Sequence, residues 1–447
     1  MNVCLLCRQY PPADGGGIGT YMSRYARALA RQGCCVTVVT AATGRHPGST
    51  PVATDASGIT IVEIPVPIDE RWTAPTADAT DAHCAAFHVL SPASLFGMAV
   101  ARCLPALHDR HGFDIVESPE TGAALWFALN ERRTSRAWPA SPVFVTHVFS
   151  PSAWIEEQNR CPATSRGELA LRWMEADAAR WSDARVCSSR ALADWAERAW
   201  DLAPGDIDLF PPPMGEASES PTTPAAGRRL LYVGRLEPRK GVDVLLASFA
   251  RAGSRIDDLH LELAGHDMTD PRTNQPFGRR SVELHVPASL RRRVHLLGHL
   301  DHRVLAQARR RARAAVIPAA CDNYPYACIE AMAAGLPVIA ARAGGVASLV
   351  RHGREGLLFD PGDIDACADA IVELVRMDAP RRSEMGKAAA DRVRSVCDDR
   401  AVANARLDHY ARLIDRRPSA PARSDIPVVV LNAPATHQRE LEPLVAA

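Results

Sequence analysis

The chain has 447 residues, of which 47% are hydrophobic and 23% charged, and its 52 Lys and Arg residues balance its 52 Asp and Glu residues. A chain of this length is expected to form two or more domains. Balanced charge favours neither nucleic acid nor a membrane surface as a partner, and no apolar run approaches the ~20 residues of a transmembrane helix. The start, MNVCLLCRQYPP, lacks the features of a signal peptide, so a cytoplasmic location is expected.

The first half of the chain alternates short apolar runs, which predict strands, with amphipathic stretches, which predict helices. The predicted strands are NVCLLC, VTVVT, ITIVEI, DIVES, PVFVTH, ARVCSS and IDLF, with helices at 21–32, near 95–110 and from Thr121. This alternation implies a parallel sheet with helices on both faces. Prolines 211–213 end the series, so a first domain is expected over 1–213 and a hinge linker over 214–227.

A second alternating series starts at residue 228. Its strands are RLLYVGRL, LHLELAG, RVHLLGHL, AAVIPA, PVIAA and GLLFD, and its helices lie at 241–252, 302–313, 326–334 and 364–376. We therefore predict an α/β protein with two doubly wound, Rossmann-like domains that face a central cleft, the second over 228–398. A helix at 399–417 is expected to pack back on the first domain, and 418–447 to form a flexible tail.

Twelve cysteines are scattered without the paired spacing of zinc sites. Cys4 and Cys7 form a C-x-x-C, but they lie on the first predicted strand, where positions three apart face opposite sides. Buried free thiols are therefore favoured over a disulfide or a metal site.

The segment CDNYPYACIEAMAAGLPVIAARAGG (321–345) places Asp322 in a loop and Glu330 within the helix that follows. Backbone N–H groups at the start of such a helix attract phosphate, and acids on either side can hold hydroxyl groups. A site that binds both suggests a nucleotide sugar as the ligand.

VGRLEPRKG (233–241) carries Arg235 and Lys240 in the first strand-to-helix loop of the second domain. Two cations beside a helix N-terminus can neutralise a leaving diphosphate without a metal. Arg and Lys are usually solvated surface charges, but the position of this loop on the cleft side weighs against that alternative.

The first domain contributes two further motifs. DGGGIGTY (14–21) follows the first strand, yet Met22 stands where a dinucleotide fingerprint needs its third glycine. A loop that closes on a ligand is favoured there over a simple tight turn. His147, in VTHVFSP, ends a strand at the cleft, where it could bind a sugar hydroxyl or polarise the reacting centre, although packing or capping is the common alternative.

Two other patterns are read as structural. The D-x-D triplets at 206–208 and 363–365 could bind a metal diphosphate, but the first opens a strand and the second is an N-cap, so no metal is expected. The RRR runs at 291–293 and 309–311 lack interleaved aromatics and are interpreted as solvated faces rather than nucleic-acid contacts.

Together these residues resemble the family-4 retaining glycosyltransferases of GT-B fold (glycosyl transferases group 1) over roughly residues 1–415. VGRLEPRKGVDVLLASFA, LELAG, VHLLGHL, IEAMAAGLPVIAARAGG and HGREGLLFDPGD follow the order and spacing of that family. The resemblance implies a hexosyltransferase that moves a sugar from a nucleotide diphosphate donor to a small-molecule or glycan acceptor. UDP is the commoner donor nucleotide, GDP and ADP are alternatives, and no metal or other cofactor is implied.

The family's site residues carry over by matching position. Arg235 and Lys240 would hold the diphosphate together with backbone N–H groups near Tyr326 and Ala327, Asp322 would contact the sugar, and Glu330 the ribose. His147 would lie by the reacting sugar, and Gly16 and Gly17 would line the phosphates and the acceptor entrance. The candidates for acceptor binding are Glu120, Trp154 and Glu156.

This chain also departs from the family pattern. Asp322 stands where the family usually has Glu, and Ala347 and Ser348 replace the common Pro-Glu after the Gly-Gly turn. Two alternatives stay open: a nucleotide-sugar 2-epimerase of the same fold, which needs acid/base carboxylates in the first domain's cleft, and a non-catalytic nucleotide-sugar-binding paralogue.

Overall fold

The computed structural model of the chain describes residues 1–12, 16–42, 52–69, 73–77, 79–134, 142–215, 227–270 and 272–416. Most of the predicted hinge and the predicted tail lie outside these ranges, as do Asp14 and Gly15 of the glycine-rich loop. Among the described residues, no helix combines the length and apolarity needed to cross a bilayer.

The first domain is built on an eight-stranded sheet in the order β3-β4-β2-β1-β5-β6-β7-β8, in which β3 alone is antiparallel to its neighbour. The strands are β1 (Asn2–Leu6), β2 (Cys35–Ala42), β3 (Val52–Thr54), β4 (Thr60–Pro65), β5 (Ile115–Pro119), β6 (Val143–Val148), β7 (Ala184–Cys187) and β8 (Ile207–Leu209). The helices are α1 (Gly16–Arg31), α2 (Asp81–Val89), α3 (Ser94–His111), α4 (Trp126–Thr134), α5 (Ser152–Asn159), α6 (Arg166–Trp181) and α7 (Arg190–Ala199).

The second domain is built on a six-stranded parallel sheet in the order β13-β10-β9-β14-β15-β16. Its strands are β9 (Arg229–Val233), β10 (His260–Ala264), the short hairpin β11 (Thr269–Asp270) and β12 (Gln275–Pro276), β13 (Val294–Gly298), β14 (Ala314–Ile317), β15 (Val338–Ala341) and β16 (Gly356–Phe359). The helices are α8 (Val242–Gly253), α9 (Phe277–His285), α10 (His302–Arg311), α11 (Tyr326–Ala333), α12 (Val346–Leu349), α13 (Ile364–Arg376), α14 (Ala379–Val396) and α15 (Asp399–Asp415), with 3-10 turns at Pro238–Lys240 and Arg291–Arg293.

Both sheets are covered on both faces, which explains why their strands are continuous apolar runs. In the first domain one core lies beneath α3 and α4, and the other beneath α1 and α15. Cys4 packs in the former core and Cys7 in the latter, so the prediction that these two residues face opposite sides of the sheet is confirmed.

The chain's last described helix, α15, returns to the first domain and packs beside α1. The hydroxyl oxygens of Tyr25 and Tyr410 lie 2.7 Å apart there. The core of the first domain is therefore completed by residues more than 380 positions away in the sequence.

A side-chain cap marks the start of several helices. Asp363 caps α13 by accepting a hydrogen bond from the Ala366 N–H at 2.9 Å, as predicted for the second D-x-D triplet. The helix expected from Thr121 begins instead at Trp126. Gly122 and Ala123 have positive φ angles, and the Gly122 N–H donates to the buried carboxylate of Glu175, so the segment before Trp126 forms a loop.

Candidate active site

A cleft of about 860 Å³ lies between the two domains. The first domain lines it with residues after β1, at the start of α1 and after β6, and the second domain with residues after β9, β10 and β14 and at the start of α11. These are carboxyl ends of parallel strands, the edge at which doubly wound sheets bind ligands.

Lys240 and Asp322 form an ion pair at the floor of this cleft. Lys240 ends the 3-10 turn before α8, and Asp322 lies in the loop between β14 and α11. Burial lowers the pKa of the Lys240 ammonium, whereas the effect of burial on Asp322 is outweighed by Lys240 and Arg239, which hold the pKa of Asp322 below its usual range. Asp322 is therefore a carboxylate near neutral pH, and its negative charge opposes the effect of burial on Lys240.

A third cation, Arg239, was not singled out from the sequence. Its side chain is only 5% exposed, pairs with Glu237 at 2.9 Å and lines the cleft beside Lys240. Arg235 also lines the cleft and pairs with Glu237 at 3.2 Å, but half of its side chain is exposed. The sequence gives no signal of which of these two arginines, four positions apart, is buried.

The loop that carries Asp322 is held by the Gly-Gly turn after β15. A Cβ atom on Gly344, whose φ is +51°, would lie 1.7 Å from the Asp322 carbonyl oxygen, so a side chain cannot be accommodated. The Gly345 N–H donates to the Asn323 carbonyl at 2.7 Å. Asn323 in turn donates to the Val148 carbonyl at 3.1 Å and accepts from Ser189 at 2.8 Å, which ties the loop to the first domain.

Glu330 lines the cleft from α11 with both carboxylate oxygens ion-paired. Arg24 of α1 donates to Oε1 at 2.6 Å, and Arg309 of α10 contacts Oε2. The interpretation of 309–311 as a solvated face is thus wrong for Arg309, which is 8% exposed. The helical period turns Arg309 toward α11 while its neighbours Arg310 and Arg311 remain exposed.

Two helix starts open into the cleft from opposite domains. Tyr326 and Ala327, the first residues of α11, line it, and so do Gly16 and Gly17 at the start of α1. At the start of α11 the N–H groups of the first turn have no partner within that helix, and such a helix start attracts an anion. A Cβ added to Gly16 or Gly17 would meet open space, so packing does not require glycine there.

His147 does not lie on the cleft surface, which differs from the sequence-based expectation. It is fully buried, stacked on Phe149 with ring centroids 3.9 Å apart and contacted edge-on by Tyr21 at 4.7 Å. Phe149 and Tyr21 line the cleft in its place. A strand end positions the backbone at the cleft, but it does not determine whether neighbouring rings cover the side chain.

Behind His147 lies a buried charged network. Its Nδ1 is 3.0 Å from Glu117, and the other oxygen of that carboxylate contacts both Arg406 and the Tyr410 hydroxyl of α15. Burial would raise the pKa of Glu117, but Arg406 and His147 lower it to about 2. Burial lowers the pKa of His147 to about 4, so this imidazole is neutral and its Nδ1–H donates to Glu117.

Glu120 is also buried and does not line the cleft, so a direct contact with an acceptor is not what this conformation offers. Its carboxylate accepts hydrogen bonds from the Phe149 and Ser150 N–H groups at 2.8 and 2.6 Å. Glu175 of α6 accepts from Gly122 and Ser152 in the same way. The two carboxyl groups thus hold loops of the first domain beside the cleft.

Burial raises the pKa of Glu120 to about 7 and, together with the charge of Glu120, that of Glu175 to about 8. Because the folded protein holds these protons more tightly than the unfolded chain, the contribution of the two protonated carboxyl groups to stability is complete below pH ~4.5 and is lost as the pH rises through 7–8.

We expect the thermal unfolding midpoint to decrease as the pH is raised from 5 to 9. In Glu175→Gln the fall should be smaller, and an unchanged pH slope would contradict this.

Trp154 and Glu156 of α5 do line the cleft, on the side of the first domain. The Trp154 side chain is largely buried, and Glu156 pairs with Arg172 at 3.4 Å. The structure thus brings together Gly16, Gly17, Trp154, Glu156, Arg235, Lys240, Asp322, Tyr326, Ala327 and Glu330, and it leaves Glu120 and His147 beneath the surface.

The family models match both halves of the chain. Residues 16–213 match the glycosyl transferase 4-like domain, and residues 215–392 match the glycosyl transferases group 1 domain. The chain belongs to the group 1 glycosyltransferases. The junction of the two matches falls between the two sheets, at the carboxyl side of the 211–213 prolines.

This glycosyltransferase has relatives along most of its length. It is 26% identical over 426 residues to a D-inositol 3-phosphate glycosyltransferase of Xylanimonas cellulosilytica, covering 91% of this chain and 94% of that one. It is 27% identical over 448 aligned positions to a glycogen synthase of Mycobacterium tuberculosis, and the alignment covers 94% of this chain and 97% of that one.

Solved structures of glycosyltransferases share the fold. A sucrose-phosphate synthase from Thermosynechococcus elongatus aligns with a TM-score of 0.68 at 21% identity, over 93% of this chain and 100% of that chain. HepE of Anabaena, in complex with UDP and glucose, aligns with a TM-score of 0.65 at 16% identity, over 92% of this chain and 99% of that chain. The predicted GT-B fold with two Rossmann-like domains is confirmed.

Proposed function

We propose that this glycosyltransferase moves a sugar from a nucleotide diphosphate sugar to a small-molecule or glycan acceptor with retention of anomeric configuration. The observation that carries the proposal is the Lys240–Asp322 pair at the cleft floor, opposite Gly16 and Gly17. UDP is the first candidate nucleotide because solved structures with this fold contain UDP, as in HepE, or UDP-2-fluoro glucose, as in a trehalose-6-phosphate protein of E. coli. GDP and ADP are the alternatives.

Positive charge in the second domain would stabilise the leaving diphosphate. Lys240, Arg235 and the N–H groups at the start of α11 converge on one side of the cleft. Preorganised donors of this kind lower the barrier because they need no rearrangement as charge develops. With these groups supplying the charge, the proposed transfer is independent of a metal, which addition of EDTA to the assay would test.

The two acids of the second domain would position the donor. Asp322 would accept hydrogen bonds from the sugar hydroxyls and Glu330 from the ribose hydroxyls. Among the described residues the cleft-lining carboxylates are Glu156, Asp322 and Glu330, and Asp322 is engaged by Lys240. We therefore infer a front-face displacement through an oxocarbenium-like state, in which the leaving phosphate accepts the proton of the acceptor hydroxyl.

The acceptor would enter from the first domain. Trp154 and Glu156 of α5 and Thr121 after β5 line this side, and Glu120 supports the adjacent loop from beneath. His147 would act on the reacting sugar through Phe149 and Tyr21, or directly once these rings move. Its neutral imidazole offers an Nε2 lone pair, an acceptor suited to a sugar hydroxyl.

A thermal-shift panel of UDP-, GDP-, ADP- and dTDP-sugars tests the donor assignment. A ligand that binds only the folded state raises the free energy of unfolding with the logarithm of its concentration relative to Kd, by ~2.7 kcal/mol at about 100 times Kd, and the unfolding midpoint rises with it. We expect one nucleotide to dominate the panel and EDTA to leave its effect unchanged. If none of the four raises the midpoint, the donor site is wrongly assigned.

Products measured with the identified donor separate the remaining functions. Release of the nucleotide diphosphate together with a glycosylated acceptor supports transfer. Release of the nucleotide together with an epimerised sugar in the absence of any acceptor would indicate an epimerase, and binding without turnover would indicate a nucleotide-sugar-binding protein.

A further inference from the structure

Arg24 joins the two domains at the donor side of the cleft, and no motif in the sequence marks it. It extends from α1 of the first domain, and its Nη2 donates to Glu330 Oε1 at 2.6 Å across 306 positions of sequence. Its side chain is 19% exposed, so the pair is mostly shielded from water. An ion pair of this kind holds a carboxylate in one orientation more firmly than an exposed pair does.

The path of the Arg24 side chain is defined along its length. The Cδ atom lies against the Gly215 backbone, where an added Cβ would approach it to 2.8 Å. The guanidinium carbon then lies 4.4 Å from the centre of the Tyr326 ring. Tyr326 itself donates from its hydroxyl to the Pro213 carbonyl at 3.1 Å. Arg24 thus contacts the chain where it crosses between domains and the first residue of α11.

The geometry leaves Glu330 able to bind a ligand. A carboxylate accepts about four hydrogen bonds. Arg24 and Arg309 contact one oxygen each, so the remaining lone pairs can accept two hydroxyl groups. The second terminal nitrogen of Arg24, Nη1, is buried and has no hydrogen-bond partner within the described part of the chain. Internal hydrogen bonding alone therefore does not explain the placement of this guanidinium.

We propose that Arg24 is a positioning residue for the donor, which orients Glu330 from the opposite domain so that its free lone pairs face the ribose hydroxyls. The inference rests on the donor role proposed for Glu330. Because Arg24 belongs to the first domain, donor affinity depends on the two domains standing in this arrangement. The pair thereby couples nucleotide binding to this arrangement of the two domains.

Arg24→Met tests the proposal, since methionine keeps an apolar stem against Gly215 and Tyr326 and removes the guanidinium. We expect the Kd for UDP, measured by calorimetry, and the KM for the donor to rise about tenfold, with a smaller change in kcat. The Kd and KM of Arg24→Lys should lie between those of the unmodified chain and of Arg24→Met. Arg24→Lys serves as the main variant if Arg24→Met proves unstable.

Arg31→Met is the matched control. Arg31 lies two turns along the same face of α1 and pairs with Asp399 at 3.3 Å, and it does not line the cleft. We expect the Kd for UDP to stay within about twofold of the unmodified chain, because exposed pairs contribute little. Equal losses in Arg31→Met and Arg24→Met would overturn the proposal in favour of a general effect on α1.

The Glu330→Gln background separates this inference from the donor assignment. If Arg24 acts through Glu330, its substitution should have little further effect on UDP binding once Glu330 is changed. Weaker binding in Glu330→Gln with normal binding in Arg24→Met would overturn the role of Arg24 alone. Normal binding in Glu330→Gln would remove the donor assignment itself, and tighter binding in Arg24→Met would show that the pair competes with ribose.

Discussion

Replacing Lys240 by alanine is expected to reduce kcat/KM for sugar transfer by about two to three orders of magnitude while the protein stays folded. Loss of one preorganised donor to developing negative charge typically has an effect of this size. The substitution also leaves Asp322 in the cleft without its ion-pair partner. We therefore expect the donor KM to rise together with the fall in kcat, as steady-state kinetics would measure.

The chain offers an unusually clean control, because Lys240 and Lys387 are its two lysines. Lys387 lies exposed on α14, away from the cleft, so Lys387→Ala should transfer sugar at a normal rate. Acylation with an amine-directed reagent, read by mass spectrometry, gives a second measurement, since UDP should protect Lys240 and not Lys387. Near-normal activity of Lys240→Ala would rule out its role at the diphosphate.

Replacing Arg406 by methionine is expected to destabilise the first domain by ~3–5 kcal/mol, which urea unfolding would measure. Breaking a buried ion pair leaves the partner charge unpaired in a medium that solvates it poorly. Arg406 and Glu117 are both fully buried, so solvent does not screen their contact. Without Arg406, burial dominates and the pKa of Glu117 rises. The loss of free energy of unfolding in Arg406→Met should therefore be larger at pH 8 than at pH 5.

Two companion variants test this explanation. Glu117→Gln combined with Arg406→Met removes both charges and should recover part of the lost stability, because neither ion is then buried alone. Arg412→Met changes an exposed arginine on the same helix and should alter the free energy of unfolding by less than ~0.5 kcal/mol. An equal loss in the single and double variants would point to packing of the Arg406 stem instead of charge.

The sheets and the cleft could be predicted from sequence because their signals are local. Continuous apolar runs between amphipathic stretches specify buried parallel strands, and strand ends must meet at one edge of a sheet. Lys240 and Asp322 are 82 positions apart, yet each follows a strand of the same sheet, so their proximity follows from topology. The short edge strand β3 and the hairpin of β11 and β12 carry too few residues for any periodic pattern.

The charged contacts beneath and across the cleft could not be predicted in the same way. Arg24 and Arg309 are ordinary helical arginines in an arginine-rich chain, and only the packing of α1 and α10 around α11 turns them toward Glu330. Glu175 reads as a polar position on an amphipathic helix, but its partners are backbone N–H groups of loops that no side-chain pattern identifies. The sequence correctly predicts that His147 lies at the end of its strand, but it does not predict that Phe149 and Tyr21 cover the imidazole.

The return of α15 to the first domain has a consequence for how the protein is made. Glu117, on a central strand of the first sheet, finds its charge partner on a segment that is synthesised almost 290 residues later. Until that segment leaves the ribosome, the nascent first domain lacks the Arg406 guanidinium that pairs with Glu117 and the helix that covers the apolar face beside α1. Domains usually fold in order as they emerge, but this one can complete its fold only after the second domain has been translated.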